Sequence, residues 1–366
     1  MISNQHSLEG RNFLFIVQGE GRGHMTQAIA LGEFIERSGG QIVRVMVGTS
    51  PGREVPQFFQ RFFREKLNYF DTINFVKDPR DKSVDFLATC ISFIRNWAKY
   101  TRSVRLIRKQ IEETKPDVVV NFYEILGAFA CRVSEKKPVV VCIGHQYVFL
   151  HEDFSFPPRS WLRKRALIFF TSLTTIGAKK KLALSLYPLK DLPEKNLFVL
   201  PPLLRKEFRN KGARQEDFVL IYLLNSGYTG DIIAWHAKNP RKKIHCFSDY
   251  PAAVPGSNDN LVFHRINDRE FIDHLTRCKG LICTAGFESI AEAHYLNKPV
   301  CVVPVSGHIE QVVNAYDVES HGLGLSNRTF DFDKFIAYLE RANSENVSYR
   351  DWIGNEINLV VPLLRD

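Results

Sequence analysis

The sequence lacks the features that mark membrane-spanning, secreted and repetitive proteins. Its longest uncharged, mostly apolar stretch, residues 166–178, would reach about 20 Å as a helix, short of a bilayer core of about 30 Å. The N-terminal residues show no basic region followed by a long apolar run, so we expect no secretory signal. No repeat of roughly 20–50 residues is visible, which argues against a solenoid or propeller.

Cysteine is also sparse, with 7 residues in a chain of 366 and no Cys-x-x-Cys pair. Several cysteines lie within apolar runs, which is typical of buried free thiols in a reducing cytoplasm. The apolar share of 45% and the charged share of 24% are ordinary for a globular protein and exclude collagen-like and disordered classes. At about 150 residues per domain, the length predicts two domains.

Acidic residues are missing from one long basic segment. The chain carries 49 Lys and Arg against 40 Asp and Glu, a formal charge of +9, and eight of the basic residues lie between Phe154 and Lys190, where there is no acidic one. A basic surface implies an anionic partner. The apolar run inside the segment suits either a helix at an anionic membrane surface or a core helix with solvated flanks. No nucleic-acid partner is expected.

Short apolar strands alternate with amphipathic helices along the chain. The runs are continuous rather than alternating, which is typical of strands covered on both faces in parallel sheets. A helix is predicted over residues 25–37. The predicted strands are residues 13–17, 42–47, 118–121, 139–143, 197–200, 218–224, 244–247, 261–263, 280–283 and 300–303.

A domain boundary is predicted near residues 200–216. Pro201 and Pro202 end a strand there, and a polar stretch follows. We therefore predict two Rossmann-like domains, residues 1–203 and 204–345, and a helical tail over 346–366. Ligands of such folds bind at the carboxyl ends of the strands, which predicts a site in the cleft between the domains.

A glycine-rich turn, Gly19-Glu20-Gly21-Arg22-Gly23-His24, follows the first predicted strand and opens a helix. Glycines permit close approach of a ligand, and the helix start offers unpaired N–H groups with partial positive charge, which suits a phosphate. A turn that only packs is the alternative. NAD or FAD binding is disfavoured, because the spacing is not G-x-G-x-x-G and the second strand ends without an acid.

His24 is the candidate base or phosphate donor among the 11 histidines, because imidazole titrates near neutral pH. The alternative is a helix-start histidine bonded to a neighbour. His145 and His308 also lie near strand ends. The other histidines are expected to be surface or packing residues.

The densest group of candidate site residues lies in residues 283–314. A Thr-Ala-Gly turn leads into a helix from about Phe287, so Ala285 and Gly286 leave room for a phosphate at the helix N-terminus. Glu288 and Glu292 are four residues apart and share one helix face. A carboxylate there can accept both hydroxyls of a ribose, although solvated helix acids are the simpler interpretation. A loop over residues 305–311 then leads to a helix. Glu310, Gln311 and Asn314, at the end of this loop and in the helix, can point polar groups into the same cleft.

Three pieces of sequence together resemble GT-B glycosyltransferases, most closely the MurG-like group, which contains the N-acetylglucosaminyltransferase of peptidoglycan synthesis. The pieces are GEGRGHMTQA at 19–28, TAGFESIAEA at 284–293 followed by KPVCVVPV, and EQVVNA at 310–315. The resemblance implies an α/β fold of two Rossmann-like domains facing across a cleft, with mostly parallel sheets. It also implies a hexosyltransferase that uses a nucleotide-sugar donor, usually UDP-linked.

By position, the resemblance implies a role for each matching residue. Glu292 would accept the ribose hydroxyls, while Glu310 and Gln311 would contact the donor sugar. Gly21, Gly23 and His24 would face the acceptor and the transferring sugar. The residues implied near the diphosphate and nucleotide are Ala285, Gly286, Phe287 and Glu288, with Asn225, Ser226 and Gly227 in a second loop.

Two departures and two chemical expectations accompany the resemblance. Glu310 stands where the family has Gln, and residues 224–230 match the family loop only loosely. Helix dipoles and loop N–H groups would stabilise the leaving diphosphate, so no metal or cofactor is expected, and His24 or a nearby carboxylate would take the acceptor proton. Retaining relatives often carry two Glu eight positions apart, and Thr284 stands eight before Glu292, which predicts inversion.

Several alternatives remain open from the sequence. A nucleotide-sugar epimerase shares this fold, and a non-catalytic nucleotide-sugar binder would carry the same residues. Asp331-Phe332-Asp333 matches the D-x-D metal motif of a different glycosyltransferase fold, but it precedes a predicted helix and fits an N-cap better. If the basic segment binds membrane, a lipid-linked or envelope-glycan acceptor follows, with a cytoplasmic enzyme peripheral to the inner face of the plasma membrane.

Overall fold

A computed structural model describes residues 7–73, 91–92, 94–209, 215–223, 228–248, 258–305, 307–329, 332–341 and 347–365 of the chain. The described residues form two compact units. Unit 1 takes its residues from Met1–Phe154, Arg159–Arg205 and Trp352–Asp366, and unit 2 from Ser155–Pro158 and Lys206–Asp351.

Unit 1 is built on a sheet of seven strands in the order β3-β2-β1-β4-β5-β6-β7. Every pair of neighbours is parallel, as the continuous apolar runs predict. Both sides of β1 are paired, since Phe13 faces Ile42 of β2 and Val118 of β4. The strands are β1 Asn12–Gln18, β2 Gln41–Thr49, β3 Leu67–Asp71, β4 Val118–Phe122, β5 Val139–Gly144, β6 Lys180–Leu184 and β7 Leu197–Leu200.

Helices cover the sheet of unit 1 and bury its apolar side chains. Phe15 of β1 packs edge-on against Phe63 and Phe122, with ring centroids 6.1 Å and 5.1 Å apart. The C-terminal helix, Glu356–Arg365, packs against α1, Arg22–Arg37. The other helices of unit 1 are α2 Gln57–Phe63, α3 Trp97–Thr114, α4 Ile125–Val133 and α5 Trp161–Thr174.

Unit 2 is likewise built on a parallel sheet, with six strands in the order β10-β9-β8-β11-β12-β13. Its core joins apolar residues of the strands to Ile232, Phe332 and Phe335 from two helices. The strands are β8 Val219–Leu223, β9 Ile244–Ser248, β10 Leu261–Arg265, β11 Gly280–Cys283, β12 Val300–Val302 and β13 Leu325–Ser326. The remaining helices are α6 Lys206–Arg209, α7 Thr229–Lys238, α8 Asp268–Arg277, α9 Phe287–Tyr295, α10 Ile309–Ser320, α11 Phe332–Arg341, α12 Val347–Ile353 and α13 Glu356–Arg365.

The predicted α/β class with mostly parallel sheets is confirmed, and the differences from the sequence prediction are local. Helix α1 begins at Arg22 rather than residue 25, so His24 lies inside its first turn. Strands β3, β6 and β13 are additional to the predicted set. Strand β3 mixes polar and apolar residues, β6 begins with two lysines, and β13 has only two residues, so none of them shows a continuous apolar run.

The basic segment between residues 154 and 190 does not form one continuous surface. Lys180 lies in strand β6 with an exposed fraction of only 9%, and its Nζ donates a hydrogen bond to the carbonyl oxygen of Leu363 at 3.0 Å. Pairing between β5 and β6 draws this end of the segment into the sheet. The exposed basic residues are therefore split between the start of α5 and later loops.

Cysteines and possible membrane-spanning helices can both be checked in the described part of the chain. The six described cysteines are buried and none of them forms a disulfide, whereas Cys90 lies outside the described part of the chain. Within that part, no helix combines the length and the apolar character needed to cross a membrane.

Candidate functional site

The strand order of unit 1 creates one place where loops from neighbouring strands diverge. From β1 the chain crosses to β2 on one side, and it later returns to β4 on the other side. In open parallel sheets this switch point, at the carboxyl ends of the strands, is where ligands bind. The glycine-rich turn follows β1 at this point, and Tyr123 and Glu124 follow β4.

Packing explains one glycine of the turn but not another. The N–H of Gly19 donates to the carbonyl oxygen of Gly48 at 2.8 Å, and a Cβ on Gly19 would overlap that oxygen. Gly21 is the N-cap of α1, and within the described part of the chain a Cβ there would meet only His24, at 3.8 Å. Close packing against β2 thus requires Gly19, while the space beside Gly21 at the start of α1 is open.

His24 is held in place by an aromatic stack. Its exposed fraction is 7%, and its ring lies parallel to that of Tyr123, at 5.6 Å between centroids and 17° between planes. Tyr123 has a φ of 61°, a left-handed conformation that is uncommon for a tyrosine. Its Oη is 2.9 Å from Oγ1 of Thr171 on α5. The stack therefore orients His24 at the switch point, between the ends of β1 and β4.

Glu124 is a buried carboxyl at the same switch point, and it is not among the site residues predicted from the sequence. The hydroxyl of Thr72 donates to its two carboxyl oxygens at 2.9 Å and 2.8 Å, and the N–H of Leu126 donates at 3.1 Å. Burial raises the pKa of Glu124 to about 7, and the nearby Glu20 carboxylate adds to the shift. The sequence signal is an acid two residues after an apolar strand, just before the next helix, which is common at helix N-caps.

A cavity of about 30 Å³ lies beside Glu124, among the residues that follow β1, β3 and β4. A space of that size is large enough to hold a water molecule. The cavity places a group that titrates near neutral pH next to room for a polar atom. Its lining includes Gln18, Thr72, Tyr123, Glu124, Phe170 and Thr174.

Unit 2 has its own switch point between β8 and β11. The turn Thr284–Gly286 follows β11 and Gly286 is the N-cap of α9. Residues 225–227, which the sequence also predicts to bind the donor, follow β8 and lie outside the described residues. Both predicted loops therefore belong to the strands that flank this switch point.

The turn before α9 is fixed by a buried side chain and leaves open space above it. Nδ2 of Asn314, on α10, donates to the carbonyl oxygen of Ala285 at 3.0 Å. Among the described residues, a Cβ on Gly286 would approach nothing closer than the Thr284 carbonyl oxygen at 3.5 Å. Gly286 has φ of −85°, so neither its backbone conformation nor packing against the described residues requires a glycine here.

Glu292 lies on the buried face of α9, one turn after Glu288. The exposed fraction of Glu292 is 3%, so the solvated-acid interpretation is wrong for this residue, while Glu288 is half-buried. Phe287 at the start of the helix is also buried.

Glu310 and Gln311 lie in the first turn of α10 rather than in a loop. Nδ1 of His308 accepts a hydrogen bond from the N–H of Gln311 at 3.3 Å, and this cap starts the helix at Ile309. Oε1 of Gln311 accepts from the N–H of Val305 at 2.8 Å, which ties the helix start to the end of the β12 loop. Glu310 is half-buried on the same turn.

Two further features of unit 2 lie apart from this switch point. A cavity of about 240 Å³ lies at the amino ends of the strands, where Val219, Ile244 and Pro299 are among its lining residues. It therefore lies at the opposite end of the sheet from the predicted donor site. Asp333 of the D-x-D accepts a hydrogen bond from Nε1 of Trp235 at 3.0 Å, which is a structural role, and Asp331 lies outside the described residues.

A model of the glycosyl transferase family 1 proteins matches residues 11–342 of the chain. That match spans both units and most of the sequence. The chain belongs to glycosyl transferase family 1. No curated protein sequence is detectably similar to this family member.

Solved structures of glycosyltransferases share the fold of this family member. MurG of Acinetobacter baumannii is 14% identical, with a TM-score of 0.58 and coverage of 97% of this chain and 99% of that one. UGT89C1 of Arabidopsis thaliana complexed with UDP is 14% identical, with a TM-score of 0.60 and coverage of 97% and 100%. The spinosyn forosaminyltransferase SpnP is 14% identical, with a TM-score of 0.60 and coverage of 97% and 98%. These similarities confirm the predicted GT-B fold.

Replacing Glu124 should change how the stability of this glycosyltransferase depends on pH. The pKa of about 7 exceeds the ordinary value of 4.5, so the folded chain holds this proton more tightly than the unfolded chain. Its contribution to stability is complete below about pH 4.5 and is lost as the pH rises through about 7. The loss amounts to about 3 kcal/mol at most.

Urea unfolding of Glu124→Gln between about pH 5 and 8 tests this directly, because Gln keeps an acceptor oxygen but does not titrate. We expect the variant to lack the decline that wild type shows. Glu113→Gln, at an exposed ion pair with Lys109, serves as the control and should follow wild type. If the free energy of unfolding depends on pH in the same way for wild type and Glu124→Gln, the raised pKa of Glu124 is contradicted.

Proposed function

We propose that the chain transfers a sugar from a UDP-linked donor to an acceptor hydroxyl, with inversion and without a metal ion. Membership of the glycosyltransferase family and the GT-B fold support sugar transfer. UDP is present in the solved structure of UGT89C1, whose fold this chain shares. The observation that carries the donor proposal is the turn at Gly286, which Asn314 anchors and whose upper side is open.

The donor would bind at the start of α9. Backbone N–H groups at Gly286, Phe287 and Glu288 would bind the diphosphate, since a helix N-terminus concentrates unpaired donors and partial positive charge. Glu292, on the buried face of α9 one turn after Glu288, would accept the ribose hydroxyls. Glu310 and Gln311 in the first turn of α10 would contact the donor sugar.

His24 is the proposed base for the acceptor hydroxyl. The stack on Tyr123 holds its ring, and a fixed ring loses little freedom on reaching the transition state. Gly21 and Gly23 would leave the acceptor room beside it. As the bond from the anomeric carbon to the diphosphate oxygen breaks, the acceptor oxygen bonds to that carbon and its proton moves to His24. The diphosphate leaves with the electron pair, and N–H groups at α9 stabilise its charge.

Gly286→Ala separates donor binding from folding. The free energy of unfolding should change by less than about 1 kcal/mol, because a stiffer unfolded chain offsets the poorer N-cap. The added methyl would occupy the space proposed for the diphosphate, so we expect UDP affinity to fall at least about tenfold, as 1.4 kcal/mol of lost contact requires. Calorimetric titration with UDP, GDP and NAD measures this, with Gly286→Val as the larger step.

Unchanged UDP affinity in both Gly286 variants would contradict the proposed donor site. Wild-type stabilisation by NAD alone, with no response to UDP, would reject the nucleotide-sugar donor. Conversion of the donor sugar with retention of the nucleotide in the product would identify an epimerase instead.

His24→Ala should lower kcat by roughly 10²–10⁴-fold, the usual loss when a general base is removed, and leave the donor KM nearly unchanged. Hydrolysis of a UDP-sugar panel, with water as acceptor, measures the rate before the acceptor is known. NMR of the released sugar reports inversion. Tyr123→Phe keeps the stacked ring and removes the hydroxyl that bonds to Thr171, so it should lose less than about tenfold.

If the folded His24→Ala variant hydrolyses the donor within threefold of the wild-type rate, His24 is not the base. The neighbouring carboxyl of Glu124 then becomes the candidate base. A product with retained anomeric configuration would overturn the proposed inversion. Chelation of metals should leave the rate unaltered.

We further propose a MurG-like acceptor, lipid-linked or part of an envelope glycan, reached from an anionic membrane surface. The start of α5 supports this, because Trp161, Leu162 and Phe169 have exposed fractions of 60%, 65% and 55%. Arg163, Lys164 and Arg165 are exposed beside them. Large apolar side chains flanked by basic ones suit a membrane interface. A cytoplasmic location on the inner leaflet belongs to the same proposal.

Liposome flotation tests the membrane contact. Arg163, Lys164 and Arg165 replaced together by Gln should weaken binding to anionic vesicles about 100-fold, since each basic residue contributes about 1 kcal/mol. The same replacement at Arg241, Lys242 and Lys243 in unit 2 removes equal charge and should leave binding unchanged. Equal binding by both triple variants, or none by wild type, would refute the contact.

A further inference from the structure

Three histidines that the sequence left as surface or packing residues come together in unit 2. His245 lies on β9 and His264 on the neighbouring edge strand β10. His245 is in register with Val262, so His264, two residues further, projects from the same face of the sheet. His274 on α8 completes the group from the helix that covers this face.

The three rings form a nearly equilateral triangle. Their centroids are separated by 5.1 Å between His245 and His264, 4.8 Å between His245 and His274, and 4.9 Å between His264 and His274. One ring nitrogen from each lies within 4.8 Å of the other two. Zinc–nitrogen bonds of about 2.0–2.1 Å at tetrahedral angles place ligand nitrogens about 3.3 Å apart. Small ring rotations are therefore enough to bring all three onto one ion.

The hydrogen bond of His274 fixes which of its nitrogens can bind a metal. Its Nδ1 is 2.8 Å from the carbonyl oxygen of Glu270, and because a carbonyl only accepts, Nδ1 must carry the proton. Nε2 then presents a lone pair. Metal-bound histidines commonly donate their other N–H to a carbonyl in this way, which orients the ring.

His245 and His264 already share a proton where the ion would bind. Nδ1 of His245 and Nε2 of His264 are 2.9 Å apart, so one of them carries the hydrogen and the other accepts it. A divalent cation can take the place of that hydrogen once the donor ring changes tautomer: the ring gives up the proton at the facing nitrogen and takes one up from solvent at its other nitrogen. Both rings stay neutral, and both facing nitrogens then offer a lone pair to the ion. The bond shows that both nitrogens point at a common place.

Aromatic side chains pack against the imidazole rings and hold them in place. Phe247 stacks on His264 at 4.6 Å, and Phe218 packs against His245 at 4.7 Å. The guanidinium of Arg277 carries the positive charge that interacts with His245, and it is paired with the carboxylates of Glu216 and Asp273.

We propose that His245, His264 and His274 bind one divalent transition-metal ion that prefers imidazole ligands, with zinc as the representative. The ion would join edge strand β10, strand β9 and helix α8, and water would complete its coordination. The site has a structural role in unit 2 and does not depend on the proposed sugar transfer. None of the three histidines belongs to the proposed donor or acceptor residues.

Zinc titration of the untagged, chelator-treated full chain tests the proposal by calorimetry. Wild type should bind one equivalent with micromolar or tighter affinity, and zinc should raise its melting temperature. Cobalt(II) should give the visible absorption of a nitrogen-rich, low-coordination site. His264→Ala and His274→Ala should each weaken zinc binding at least about tenfold and abolish most of the thermal shift.

His321→Ala in the same unit is the matched control. It removes an imidazole that contacts Asp317, and it should bind zinc as wild type does. Circular dichroism and the metal-free melting temperature show whether each variant is folded, and His264→Gln provides a second variant that retains polarity. Absence of zinc binding by wild type, or binding that folded His264 and His274 variants retain undiminished, would overturn the proposal.

Discussion

Parallel pairing throughout both sheets is the constraint on which the other features depend. Because every strand in a sheet points the same way, all loops after the strands emerge at one edge. The order of strands then decides which two loops diverge, β1 with β4 in unit 1 and β8 with β11 in unit 2. His24 and the Thr284–Gly286 turn occupy those positions as a consequence of topology.

Buried polar groups near the switch points are held by bonds that reach across distant parts of the chain. Thr72 donates to Glu124 over 52 residues, and Asn314 donates to Ala285 over 29 residues. Each bond offsets part of the cost of removing a polar group from water. They also fix loops that would otherwise be free to rearrange, and a preorganised loop lowers the entropy lost when a ligand binds.

Local patterns in the sequence predicted most of the fold, because buried parallel strands are continuous apolar runs. Strands such as β3 and β6 contain polar residues and were missed, since only pairing with neighbours makes them strands. The turns before α1 and α9 were predicted from adjacent residues. Glu124 and the three clustered histidines were not, because each owes its surroundings to elements far away in sequence and no short pattern records that proximity.

The contrast between Gly19 and Gly286 separates the demands of folding from those of binding. A side chain at Gly19 would collide with β2, so the fold alone explains that glycine. At Gly286 the backbone conformation suits any residue, and none of the described residues fills the space above it. The proposed donor would need room of this kind. The open side lies at the start of a helix whose N–H groups favour an anion, and a diphosphate satisfies both conditions at once.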